Sequence, residues 1–243
     1  MVTDLLKTAA EFSVQGPIWS FDFYIGDYHV IISESIVVQW IVMAVLAVVF
    51  FILGRNLKVR TTSRRQMAAE YLVGLFRNMV RDTMGEKYHK YTAYIGALFC
   101  FSILNSLSSL FGFRSPTSDL SVVAAWGLIT FILTQRNKFK TGGVKGFFKG
   151  FVEPLPFMLP FNIIGEIANP VSQTLRHFAN ILAGSVIGGL IYFALGQIAN
   201  GLGSIGLPAI LSLYFDCFSA FIQAYIFCTL TMAYVSGADC SEE

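Results

Sequence analysis

The stretch Ile36–Leu53 carries no charge and a single polar side chain, Gln39. A soluble core does not need so long an unbroken apolar run, whereas a helix crossing a bilayer needs about 20 consecutive apolar residues. Lipid is therefore the solvent to reason from. Composition agrees: 55% of the 243 residues are hydrophobic and 13% are charged, against about 25% charged in ordinary soluble domains. Mean hydropathy is +0.62. Net charge is only +2, which gives no reason to expect nucleic acid. Cys100, Cys217, Cys228 and Cys240 show no CxxC pattern, so they read as free thiols in apolar helices, and no metal spacing is present. Residues 1–30 lack a basic start followed by an apolar run, so no cleavable signal is expected and membrane entry falls to the first internal span.

The same criterion marks further spans. Residues 36–54 form the first, after an outer N-terminal segment at 1–35. Residues 94–113 and 120–135 form an outer hairpin entered through Ser115-Pro116-Thr117. Residues 162–199 and 207–237 form the last two helices. Residues 66–82 differ, because Ala68, Tyr71, Leu72, Leu75, Phe76, Met79 and Val80 recur at helical spacing with Glu70, Arg77, Asn78 and Arg81 between them. That pattern predicts an amphipathic helix lying in the interface. Arg55, Lys58, Arg60, Arg64 and Arg65 form one acid-free stretch, and Arg136, Lys138, Lys140, Lys145 and Lys149 another. Positive loops stay cytoplasmic, which places the N-terminus outside and the acidic tail Asp239–Glu243 inside. The expectation is an all-α integral membrane bundle of five transmembrane helices plus one interfacial helix, in one domain without repeats. A helix over 207–236 would be about 45 Å long in a hydrocarbon core of about 30 Å. The last two helices are therefore expected to be long and strongly tilted, a shape suited to wrapping a round partner.

Arg176 lies within the fourth span. An arginine near the bilayer centre costs at least about 2.5–3.5 kcal/mol, so it persists only with water, partners or a task. Three and four residues from it, and at the next turns, come Asn169, Ser172, Gln173, Asn180, Ala183, Gly184 and Gly188. This stripe is polar at first and then small, and small residues admit close approach of another helix. His177 points to the adjacent face and is expected to be merely packed or wet. The fifth span carries Ser212, Asp216, Ser219, Ala220 and Gln223 at matching spacing. Matching antiparallel helices by depth sets Gln223 level with Arg176 and Asp216 in the outer half. Polar groups then gather in an outer cluster of Asn105, Asp119, Ser185 and Asp216 and an inner one around Glu166 and Asn169. Asp119 has a plainer reading as a helix cap. Two polar half-paths meeting at a fixed positive charge describe a barrier, not an open pore.

These residues resemble subunit a of the F-type rotary ATP synthase. The segment from Leu175 through Arg176, Asn180, Ala183 and Gly184 is similar to that family's L-R-x-x-x-N-x-x-A-G core. The approach from Pro160 to Glu166 and from Asn169 to Ser172 resembles its lead-in, and Phe221–Tyr234 its last helix. The resemblance implies that Arg176 is the stator arginine facing a rotor ring of c subunits. It further implies that Glu166, Asp216 and Gln223 line ion half-channels or flank the arginine. Peripheral-stalk b subunits and the remaining ATP synthase subunits are the implied partners in a bacterial plasma membrane. The implied ion is H+, with Na+ as the alternative, and no cofactor is implied. His177 stands where the family usually has leucine, Ser185 where many members have glutamate or histidine, and Asp216 where glutamate or histidine is commoner. No phosphate-binding GxxxxGK loop is present, so ATP chemistry would belong to other subunits. The rivals from other classes are a stand-alone channel or transporter and a non-transporting scaffold. Both predict function, or none, without a ring.

Overall fold

The computed structural model describes residues 20–25, 28–55, 57, 63–111, 113, 115–152, 155–198 and 207–239. Cys240, most of the tail and Lys58 and Arg60 lie outside the described residues. An antiparallel hairpin opens the described chain, β1 (Ser20–Ile25) pairing with β2 (Tyr28–Ser33) from Ser20↔Ser33 to Ile25↔Tyr28. The all-α expectation did not include it. Its sequence, SFDFYI and YHVIIS, is rich in the β-branched and aromatic residues that favour strands.

Six helices follow: α1 (Glu34–Gly54), α2 (Arg64–Met84), α3 (Thr92–Leu107), α4 (Leu120–Val152), α5 (Leu159–Ile198) and α6 (Leu207–Gly237). Among the described residues three stretches are long and apolar enough to cross a membrane, Glu34–Gly54, Glu86–Leu110 and Cys217–Gly237. A fourth arises if Gly146–Val152 and Pro156–Gly188, bent at 91°, count as one span. The α4 helix continues past residue 135 through the basic stretch, changing direction at Gly143, whose φ of 60° and ψ of −168° suit a residue without a Cβ. At about 1.5 Å per residue, the 40 residues of α5 span about 60 Å.

The core lies where α2, α3, α4 and α6 meet, with Val80, Ile95, Val123, Trp126, Phe227 and Met232 at its centre. Helix α1 stands apart, burying only Glu34, Ser35 and Val38 and leaving Trp40, Ile41 and Phe51 exposed. That outward apolar surface is what lipid requires. Among helices in lipid, small residues and hydrogen bonds take over from the hydrophobic effect. Gly127 of α4 shows the first device: a Cβ there would collide with the Thr174 hydroxyl and sit 3.2 Å from the Pro170 carbonyl of α5. The Thr130 and Thr231 hydroxyls, 3.2 Å apart across α4 and α6, show the second. Cys100, Cys217 and Cys228 are free thiols.

Candidate functional site

Three sets of contacts fix how α4, α5 and α6 run past one another. Gln173 Nε2 donates to the Phe227 carbonyl and to Thr231 Oγ1, both at 2.9 Å. Asn180 Nδ2 donates to Ser219 Oγ at 2.6 Å. Rising numbers on α5 therefore meet falling numbers on α6, and Arg176 falls level with Gln223, which is 3% exposed. On the other flank, Gln135 and Lys138 of α4 meet Glu166, and Trp126 meets His177 with ring centroids 5.7 Å apart.

Arg176 points out of this bundle. It is exposed, as are Asn169, Ser172, Leu175, Ala179 and Ala183. Among the described residues no carboxylate pairs with it. Alongside Asn169 and Ser172 the exposed surface is mainly apolar: Leu175, Ile187 and Leu190 on α5 and Phe218, Phe221 and Tyr225 on α6 are all at least half exposed. Gly184 and Gly188 have open space where a Cβ would stand, so no helix among the described residues uses that small stripe.

The expected single stripe divides in two. Gln173 is 1% exposed and bonded into α6, and Asn180 is half-buried against Ser219. Helical geometry accounts for it. At about 100° per residue, Gln173 and Asn180 lie roughly 40–60° to one flank of Arg176. Ser172 and Ala183 lie roughly 20–40° to the other flank. His177, next to Arg176, is wholly buried, and neither ring nitrogen has a hydrogen-bond partner. Trp126 and Phe227 meet it edge to face, the latter at 5.5 Å.

Toward the Asp239 end of the bundle a cleft of about 880 Å³ opens among α4, α5 and the end of α6, lined by Thr134, Gln135, Lys138, Glu166, Asn169 and Asp239 among others. Both carboxylate oxygens of Glu166 are engaged: Lys138 Nζ bonds Oε1 and Gln135 Nε2 bonds Oε2 at 2.7 Å. Lys138 also lies 3.9 Å over the Phe151 ring, a cation–π arrangement. Asp239 closes the cleft, pairing with Lys87 and accepting from Tyr88 Oη at 2.7 Å. Asn137 Nδ2 ties that corner to the Val235 carbonyl at 2.8 Å.

Toward the opposite end Asn105 is wholly buried near the end of α3, and Ser115 Oγ donates to its carbonyl at 2.9 Å. Asp119 immediately precedes α4, its Oδ1 accepting the Ser121 N–H at 3.1 Å, which is the work of a cap. Ser185 and Asp216 lie on α5 and α6, but their side chains fall outside the described residues. Sequence reasoning missed Lys138 as a site residue by reading it as one of several loop charges. The signal was available, since Gln135 and Lys138 share a helix face at a spacing of three. It also passed over Trp126, which packs on His177. No group of three or more histidine, cysteine or acidic residues among the described residues is arranged to hold a metal.

The comparisons with known proteins cover nearly the whole chain. The profile of the family described as ATP synthase A chain matches residues 36–236. ATP synthase subunit a, sodium ion specific, of Propionigenium modestum is 35% identical over 88% of this chain and 76% of its own length. Subunit a 1 of Crocosphaera subtropica is 31% identical over 85% of this chain and 86% of its own. Subunit a 1 of Hahella chejuensis is 31% identical over 93% and 90%.

Proposed function

Because the chain belongs to the ATP synthase subunit a family, we propose that it is the stator ion-channel subunit of a rotary ATP synthase, offering two offset half-channels to the c ring. The observation that carries the reading is the placement of Arg176, an exposed arginine with no acidic partner among the described residues, on an apolar face. An unpaired cation is costly in hydrocarbon, and a rotor carboxylate brought against that face supplies the missing charge.

The half-channels follow from the polar groups on either side. Outside, the ion enters past Asn105, Asp119, Ser185 and Asp216 and neutralises a rotor carboxylate. The neutral site then turns through lipid, which a charged one cannot do cheaply. It returns to the inner cleft at Glu166 and Asn169, releases its ion and meets Arg176, with Gln223 at the same level. A guanidinium stays protonated, so Arg176 pairs with the carboxylate without relaying a proton. It thereby blocks a direct leak between the two paths. One charge crossing 100 mV yields about 2.3 kcal/mol, so a rotor must gather several ions for each ATP.

Five crossings with the N-terminus outside and the C-terminus in the cytoplasm of a bacterium complete the reading, with α5 and α6 tilted around the ring. The peripheral-stalk b subunits and the other ATP synthase subunits hold this chain still. Coupling to Na+ in place of H+ is a second version of the same machine, favoured by the 35% identical relative whose name specifies sodium.

Cysteine cross-linking tests the proposed face. With cysteine at Leu175 or Ala179, mild oxidation should join this chain to a small hairpin subunit carrying its own cysteine at the rotor carboxylate level. Purification should bring the ring with it. Cross-links only between copies of this chain, with no ring co-purifying, would point to a stand-alone channel instead.

A further inference from the structure

Several helical serine and threonine hydroxyls among the described residues turn back onto their own helix. Thr130 donates to Trp126, Thr134 to Thr130, Thr229 to Tyr225, Thr231 to Phe227 and Ser236 to Met232. Ser102 and Ser106 of α3 do not. Their residues are 0% and 5% exposed, and neither Oγ has a hydrogen-bond partner. Between them Asn105, also 0% exposed, donates through Nδ2 to the Phe101 carbonyl at 2.9 Å and leaves Oδ1 without a partner.

Ser102 shares a helix face with Asn105 at i+3 and with Ser106 at i+4, Cβ atoms about 5–6 Å apart, so the three side chains flank one seam over an arc of about 100°. The surroundings locate that face. Ile95, two turns before Ser102, receives the Cys228 thiol of α6 at 3.9 Å on its carbonyl. Phe101 packs on Trp126 of α4 at 5.4 Å. Ser115 and Thr117, whose hydroxyls are 2.7 Å apart, close the outer end over the Asn105 carbonyl. The face therefore lies in the seam of α3, α4 and α6, in the outer half.

A buried acceptor left unpaired costs about 1–3 kcal/mol, and three within one helical turn call for a guest. A water in such a site needs 2–4 polar partners. An alkali cation in a pore exchanges hydration oxygens for protein oxygens, held loosely enough to leave again. Two hydroxyls and an amide carbonyl oxygen are neutral, hard donors of that kind. We propose that Ser102, Asn105 and Ser106 form a binding station for a partly hydrated Na+ on the outer path. This inference rests on the half-channel reading above and adds to it the ion and the residues that hold it.

The test uses the complete complex in vesicles, measuring ATP synthesis against Na+ concentration on the outer side. In Ser102→Ala/Ser106→Ala the half-saturating Na+ concentration should rise about tenfold, more than the maximal rate falls. Ser106→Thr, which keeps a hydroxyl, should stay near the unmodified protein. Should the double variant fail to assemble, Asn105→Asp gives the second reading: an added negative charge should lower the half-saturating concentration. An unchanged half-saturation in these variants, or synthesis independent of Na+ in the unmodified complex, overturns the proposal. Failure of the half-channel reading itself would look different: synthesis coupled as before in Arg176→Ala.

Discussion

Arg176 and His177 are neighbours in sequence and opposites in environment. The guanidinium faces outward among Leu175, Phe221 and Tyr225, while the imidazole is sealed behind it by Trp126 and Phe227. A histidine with two unbonded nitrogens contributes little that leucine would not, because each unsatisfied buried polar atom costs about 1–3 kcal/mol. His177→Leu is therefore expected to assemble, to pump at close to the unmodified rate, and to hold or gain thermal stability. Loss of pumping by an intact complex would instead make His177 part of the ion path. The separation of these two side chains was only partly legible in sequence. Spacings of three and four gather a wide arc of the helix, so the stripe at Asn169, Ser172, Gln173 and Asn180 reads as one face. Only the packing partners on α6, Thr231 and Ser219, show where that arc divides into a buried flank and an open one.

At the scale of elements, α4 and α5 are held by a tight approach at Gly127 and by the clamp of Lys138 and Gln135 on Glu166. Removing one member of a buried pair is worse than removing both, because the survivor is left charged and without its partner. The side chains here are 9% and 24% exposed, so the expected loss for Lys138→Met is on the order of 2 kcal/mol, below that of a fully buried pair. Adding Glu166→Gln should restore much of the thermal stability of the purified complex. A double variant no more stable than the single would show that the clamp is not what Lys138 provides. The clamp was hidden from sequence reasoning because Arg136, Lys138, Lys140, Lys145 and Lys149 read as a cytoplasmic loop. In the fold this stretch is helix, and one of its cations turns inward against Phe151. The apolar runs of α1, α3 and α6 were legible for the opposite reason, since lipid imposes a length of about 20 apolar residues that few other environments demand.

On the scale of the whole molecule, the polar groups of an apolar protein are gathered in two places. Asn105 and its neighbours lie toward one end of the bundle, the cleft at Glu166 lies toward the other, and the tie between Asn137, Tyr88 and Asp239 holds the helix ends together beside the cleft. Between the two, on the outside of α5, stands Arg176. Among the described residues no carboxylate pairs with that arginine, and the rotor ring of the proposed function would supply both the opposite charge and a round surface for the apolar face. The most direct test is ATP-driven ion pumping by the whole complex in sealed vesicles, comparing the unmodified protein with Arg176→Ala. The account predicts that ATP-coupled pumping is abolished in the variant while the complex stays assembled. Full coupled pumping by Arg176→Ala would contradict it.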